Sequence, residues 1–370
     1  MKLRTIFEQV PDPRGKQGQE YQLWSLLALV LVGFLCGRPG LMAVFRLGRK
    51  LTAQQRQELG FMRGTTPAHA TLTETMRRID GAALAAVLGA MALAGRDGRS
   101  CQHIAFDGKT LRASKDGDGR AVHCVSAFCV GLQQVLGHTA SRGKGLEIPD
   151  ALALLKLLDL TGKVLTGDAL MCQKAVAATI VDRGGDYVLP VKDNQKNLKA
   201  DIMTAFETPV FPLSSYTEPA TKAHGRIEQR SIDVLPAAAL GPLLEEWPSV
   251  RQIARVTRKR EVKRKGVWVA TDETAWLITS LSSAQTSAAA LLAFNRDHWS
   301  IENQLHRNKD VTLDEDKATN RKDNAPRNIF SLKAFVVTLC AKLGLSPTLA
   351  LETFQDDKNA AIALFGRRFY

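Results

Sequence analysis

Three carboxylates far apart in the chain, Asp107, Asp168 and Glu302, are the residues whose types and settings could do chemistry together. His103 to Phe106 reads as a short strand ending at Asp107, and GKVLTGDAL as a second ending at Asp168. In open α/β sheets ligands gather at the carboxyl ends of strands. Like charges crowded into one site are costly unless a cation neutralises them, and oxygen ligands with no His or Cys set suit Mg²⁺ or Mn²⁺. Glu302 on a later helix would complete a three-carboxylate cup able to hold two such ions and to promote in-line attack on phosphorus without a covalent enzyme intermediate. Asp310, Glu315 and Asp316 are alternative third acids. Glu302 is preferred because it lies mid-helix among cations. Taken singly, each Asp also suits a turn or a cap, so their joint placement carries the reading.

The elements that must position these acids follow from spacing. Read as a helix, Phe294 to Asp316 puts His298, Glu302, Leu305, His306 and Lys309 on one side, with Phe294, Ile301 and Leu305 as its apolar spine. Residues 1–98 read as helices, including one over Thr71 to Leu93 that carries Arg77 and Arg78 and could touch DNA. GRDGRS, residues 95 to 100, is the natural linker. From Cys101 short apolar runs predict three meandering strands, then strand and helix in alternation, hence a mixed α/β sheet. More strand-like segments over about 208–282 read as an inserted β region. An apolar helix from Ile329 to Leu343 comes next, and residues 346–370 form a C-terminal tail.

The chain has 370 residues, with 50 Lys plus Arg against 37 acids, a formal charge of +13. That excess points to a polyanionic partner. Arg251 to Lys265 alone holds eight basic residues and one acid in a β-rich pattern, which fits either a charge-guarded edge strand or a DNA-facing hairpin. The longest apolar run, Leu23 to Cys36, is too short for a membrane span and is read as a buried helix, so no membrane partner is expected. The six cysteines show no zinc spacing and are expected to be free thiols in a reducing cytosol. DGKT lacks the glycine a phosphate-binding loop needs, since position 103 is His103. Lys109 is then a phosphate contact or a solvated loop lysine. Lys192, Asn194 and Gln195 could touch DNA or cap a helix. His224, Arg226 and Glu228 lie at the start of the inserted region, and Trp276 and Trp299 read as core residues.

In order along the chain stand FDGKTLR, GDALMCQ, GGDYVLPVKDNQ, HGRIEQR, HWSIENQLH and NAPRN. In these motifs the chain resembles the DDE transposases of bacterial insertion sequences, in the H-repeat-associated subgroup, over nearly its whole length. The resemblance implies a ribonuclease-H-like catalytic core over 99–345 with a β insertion, preceded by a helical domain. It implies Mg²⁺-dependent (or Mn²⁺-dependent) cleavage and transfer of double-stranded DNA at terminal inverted repeats. It further implies a homodimer in the DNA complex and a bacterial cytoplasmic setting at the nucleoid. Matched motif to motif, Asp107, Asp168 and Glu302 become the metal-binding catalytic triad. Lys309, seven residues after Glu302, matches the lysine of the E-x6-K element and joins Lys109, Lys192, Arg226 and His298 as expected DNA contacts. The chain departs from the family in LHRNKD, where Arg307 replaces an aromatic residue and Lys309 an apolar one. The alternative reading is a DNA-binding protein that kept the fold and lost the chemistry.

Overall fold

Every one of the 13 residues of helix α2 (Leu23–Leu35) is buried, Ser25 included, as a run so largely apolar requires. The structure is a computed structural model and describes residues 2–93, 101–143, 145–223, 225–247, 249–264, 267–317 and 319–369. The expected linker at 95–100 and His224 lie outside the described residues. Among the described residues no single helix is long and apolar enough to cross a membrane.

The chain divides into two compact units, Met1–Cys101 with Asp107–Asp150 and Ser300–Tyr370, and Gln102–Phe106 with Ala151–Trp299. The sequence reading divides it instead at 98 and 345. In the first unit α2 is joined by α1 (Leu3–Phe7), α3 (Leu41–Gly48), α4 (Ala53–Glu58), α5 (His69–Arg78) and α6 (Gly81–Leu93). A single helix over Thr71 to Leu93 does not form. Ile79 leaves the helical region (φ −55°, ψ 132°), and the Asp80 carboxylate accepts from the backbone N–H of Ala82 and Ala83, starting α6 afresh. Arg77 and Arg78 are both held by Glu74, and Arg77 also by Asp323.

Helix α11 (Ala325–Leu343) is buried along almost its whole length against α2, α5 and α6, and ends where Gly344 takes φ 73°. Its Asn328 amide donates to the carbonyls of Met76 (2.8 Å) and Ile79 (2.9 Å), closing the end of α5. The tail is not loose: it forms α12 (Pro347–Asp356) and α13 (Lys358–Ala363), and Phe354 accepts a bond from the Cys36 thiol. The unit also holds the second half of β1 (His103–Leu111), with β2 (Val122–Cys129) and β3 (Gln134–Arg142) in the order β3-β2-β1. Cys101 and Cys129 form a disulfide across Cα atoms 5.8 Å apart, which corrects the expectation of six free thiols. Cys36, Cys124, Cys172 and Cys340 are free and buried.

The second unit begins with the first half of β1, parallel to β4 (Val164–Gly167), which is parallel to β5 (Asp186–Val191). The expected insertion does not stand apart. Its β10 (Val267–Thr279) pairs antiparallel with β5, then β9 (Gln252–Arg264), β8 (Arg226–Pro236), β6 (Ser214–Thr217) and β7 (Thr221–Ala223) continue outward. Helices α8 (Lys174–Asp182), α9 (Lys196–Glu207) and α10 (Ala288–Asp297) belong to this unit, and α7 (Glu147–Leu157) starts in the other. Leu291 and Leu292 of α10 fill a core with Val188, Ile232, Val256 and Leu277. Parallel central strands flanked by antiparallel ones make the ribonuclease-H-like mixed sheet that the motif order implies.

Because Asn328 closes two otherwise unpaired carbonyls in the interior, Asn328→Ala is expected to lower stability by about 1–3 kcal/mol. Urea unfolding followed by tryptophan fluorescence measures this, and an unchanged midpoint would show that those carbonyls find other partners.

Candidate active site

Asp107 is not at a strand end. β1 continues through it to Leu111, and Asp107, Lys109 and Leu111 share one face while Gly108 and Thr110 face solvent. The strand therefore turns Lys109 inward beside Asp107. Glu302 and His306 come from a segment that leaves the α-helical form. After α10 the chain runs through π-helical turns at Ile301–His306 and Asn308–Thr312. Bonds from i to i+5 turn the chain less per residue than α-helical ones do, and such turns recur at functional sites.

Within the first unit, ligand atoms of Asp107, Glu302 and His306 all lie within 4.8 Å of one another. His306 Nε2 is 3.4 Å from Asp107 Oδ2. The imidazole is buried, and neither ring nitrogen has a hydrogen-bond partner. Two carboxylates and an imidazole nitrogen in one space are a donor set that fits a divalent cation. The Glu-x3-His spacing was the available signal, since on a helix it brings both side chains to one side.

Behind this group lies a buried charge network. Glu315, 6% exposed, sits 3.2 Å from the ammonium of Lys109 and 3.4 Å from that of Lys309, and Asp310 also bonds Lys109. Burial works against the charge on Lys109, but Glu315 and Asp310 together hold its pKa above the usual lysine value. Lys309 is wholly buried, with its ammonium 3.1 Å from the Phe330 ring centre, and burial pushes it down to about 8 against the pull of Glu315. Lys333 of α11 donates to the carbonyls of Pro39 (3.0 Å), Leu313 (2.8 Å) and Asp314 (3.2 Å). Burial lowers it to about 8 as well. Lys109 and Lys309, expected to reach DNA, thus point into the protein. Asp310 and Glu315, weighed as third acids, serve as their partners.

In the second unit Asp168 starts the turn Ala169–Met171, its carboxylate accepting from Met171 N–H at 3.2 Å. Asn194 and Gln195 brace that turn by donating to the carbonyls of Ala169 (2.7 Å) and Cys172 (3.0 Å). Lys192 is exposed just beyond β5. His298 Nδ1 lies 3.1 Å from the Thr166 hydroxyl, whose other neighbour is His103 Nε2 at 2.8 Å. Burial and the nearby His298 push His103 down to about 4. Arg226 lies 3.4 Å from the buried Glu228, which also holds Arg230 (2.7 Å) and approaches Arg258 (3.7 Å). Trp276 packs on Phe206, as expected of a core residue, whereas Trp299 is 62% exposed.

The basic strand β9 is sorted by its pleat. Lys259, Glu261 and Lys263 face solvent on one side. Arg258, on the other, pairs with Glu273 (2.6 Å), while Arg255, on the same side as Lys259, is partly buried and pairs with Asp233 (2.8 Å). Residues Val267 to Thr274 of β10, with Trp268 among them, are exposed as well.

Comparison with known proteins agrees along the chain. Residues 99–339 match the family described as Transposase DDE domain, and residues 4–92 the one described as DDE_Tnp_1-associated. A Xanthobacter autotrophicus protein described as uncharacterized, in dhlA 3'region, is 33% identical over 264 residues, 70% of this chain and 89% of that one. The H repeat-associated protein YhhI of Escherichia coli (strain K12) is 30% identical over 359 residues, 92% of this chain and 91% of its own. YbfL of the same strain is 29% identical over 355 residues, again 92% and 91%.

Lys309 carries a pH signature. Its folded pKa, about 8, lies below the unfolded lysine value, so between the two the unfolded chain binds more protons and stability rises with pH. Lys309→Met removes that contribution. The stability of the variant relative to the natural chain is expected to be greatest near pH 7 and to shrink as pH climbs through 8 towards 10, by denaturant titration. A gap independent of pH would mean that Lys309 is not desolvated.

Proposed function

Because the chain belongs to the DDE-domain transposase family, we propose that it binds the ends of an insertion element as double-stranded DNA, hydrolyses the phosphodiester there and joins the freed 3′-hydroxyl to target DNA. Asp107, Asp168 and Glu302 form the catalytic set and would hold one or two Mg²⁺ or Mn²⁺ ions. The observation that supports this best is the clustering of Asp107 and Glu302 with a third donor, drawn from segments nearly 200 residues apart in sequence. For Asp168 the support is its motif and its place: it stands in GDALMCQ, directly after the carboxyl end of the parallel strand β4.

A divalent cation held by these carboxylates would supply Lewis-acid activation of the attacking hydroxyl and of the scissile phosphate. The chain's own residues do the rest. Asp107 is held by its strand, which Lys109 ties to Asp310 and Glu315. The Met171 amide donates to one oxygen of Asp168 and so fixes the direction of that carboxylate. Glu302 is exposed, so a phosphate can approach it without the protein opening. The DNA is proposed to lie along Lys192, Arg226 and the solvent face of β9, with synapsis of two ends by a homodimer in the bacterial cytoplasm, at the nucleoid.

Purified protein with Mg²⁺ and a labelled element end is expected to nick and join it. Asp107→Asn, Asp168→Asn and Glu302→Gln are each expected to lower that rate at least about a hundredfold while leaving DNA binding intact. Binding with no metal-dependent cutting by the natural chain would favour instead a protein that kept the fold and lost the chemistry.

Two phosphate contacts from β9 set a second expectation. Replacing Lys259 and Lys263 by Ala should reduce the slope of log K against log salt by about 2. Fluorescence anisotropy on a duplex across a salt series reads it, and an unaltered slope would remove β9 from the interface.

A further inference from the structure

His306 is given no role by the carboxylate triad, yet it is the most confined polar group beside it. Its ring is buried, both nitrogens lack a hydrogen-bond partner, and Nε2 faces Asp107 Oδ2 at 3.4 Å. Burying an imidazole with two unsatisfied nitrogens is unfavourable, and buried polar groups in folded proteins are almost always paired. Ile301 and Leu305 of the same turn are buried as well, and the ion pairs of Lys109 and Lys309 are made with Glu315. A divalent cation is a partner that an imidazole nitrogen and a pair of carboxylates can share at this range.

We propose that His306 is a nitrogen ligand to a cation shared with Asp107 and Glu302, and that this site consequently prefers Mn²⁺ to Mg²⁺. Mg²⁺ demands near-octahedral oxygen coordination and gives up water reluctantly, whereas Mn²⁺ takes oxygen ligands and accepts imidazole more readily. The proposal rests on the reading of Asp107 and Glu302 as metal ligands and adds the donor that decides which metal they hold. Nε2 is the ligating nitrogen, because it is the one that faces the acid. The π-helical turn brings ligand atoms of Glu302 and His306 within 4.8 Å of each other, close enough to share one ion.

The probe is Mn²⁺ alone, added to the full chain without DNA, with binding measured by calorimetry and the ligand type by pulsed electron paramagnetic resonance. The spectrum is expected to show nitrogen hyperfine coupling that changes when histidine is isotopically labelled, a readout that needs no variant. In His306→Gln the coupling disappears and Mn²⁺ affinity falls about tenfold or more, while Mg²⁺ affinity changes little. His306→Asn serves in the same assay where the glutamine variant does not fold. Mn²⁺ that needs Asp107 and Glu302 but shows no nitrogen coupling would overturn the role of His306 and leave the transposase reading standing. Mn²⁺ binding untouched by Asp107→Asn and Glu302→Gln would overturn both.

Discussion

A buried carboxylate cannot be left alone, and Glu315 is the one on which the unit that holds the candidate site turns. It satisfies its charge with two ammonium groups, Lys109 from β1 and Lys309 from the π-helical segment. Removing either partner would leave a charge in low dielectric, where solvation is lost and cannot be recovered. The pairing is met only when strand and helix hold one register. Since Lys109 lies two residues from Asp107 on the same face, and Glu302 and His306 lie upstream on the segment that carries Lys309 and Asp310, that register also sets the distance between the ligands. The site inherits its geometry from electrostatics buried beneath it.

The form of that segment matters as much as its charges. In a regular α-helix Lys309 would stand nearly in line with Glu302, and both would share one face. Through two π-helical stretches the chain turns less per residue, so by position 309 the side chain has swung inward onto Phe330. Glu302 and His306, only four residues apart, stay close enough to share one ligand space. A change in helical pitch thus moves one residue from the surface to the interior while keeping two others together.

The excess of basic residues resolves in the same way. Arg226, Arg230 and Arg258 surround Glu228, Arg255 meets Asp233, and Arg77 spans Glu74 and Asp323, so these guanidinium groups are at least partly committed to the fold. Lys192, Lys259 and Lys263 face solvent. They carry the positive potential that a polyanion would meet first.

Much of this was legible in the residues alone. Short apolar runs gave away the strands at 103 and 164, an apolar stretch marked α2, and six ordered motifs pointed to the family and to Asp107, Asp168 and Glu302. Strand and helix periodicity are local, and local patterns survive without coordinates. What only the tertiary structure decided was the partner of each charge: that Lys109 and Lys309 serve Glu315, that β1 runs on past Asp107, and that His306 joins Asp107 and Glu302. The physical reason is that desolvation depends on what the rest of the chain packs around a group. No spacing between neighbours along a sequence records which side chain a distant segment will bury.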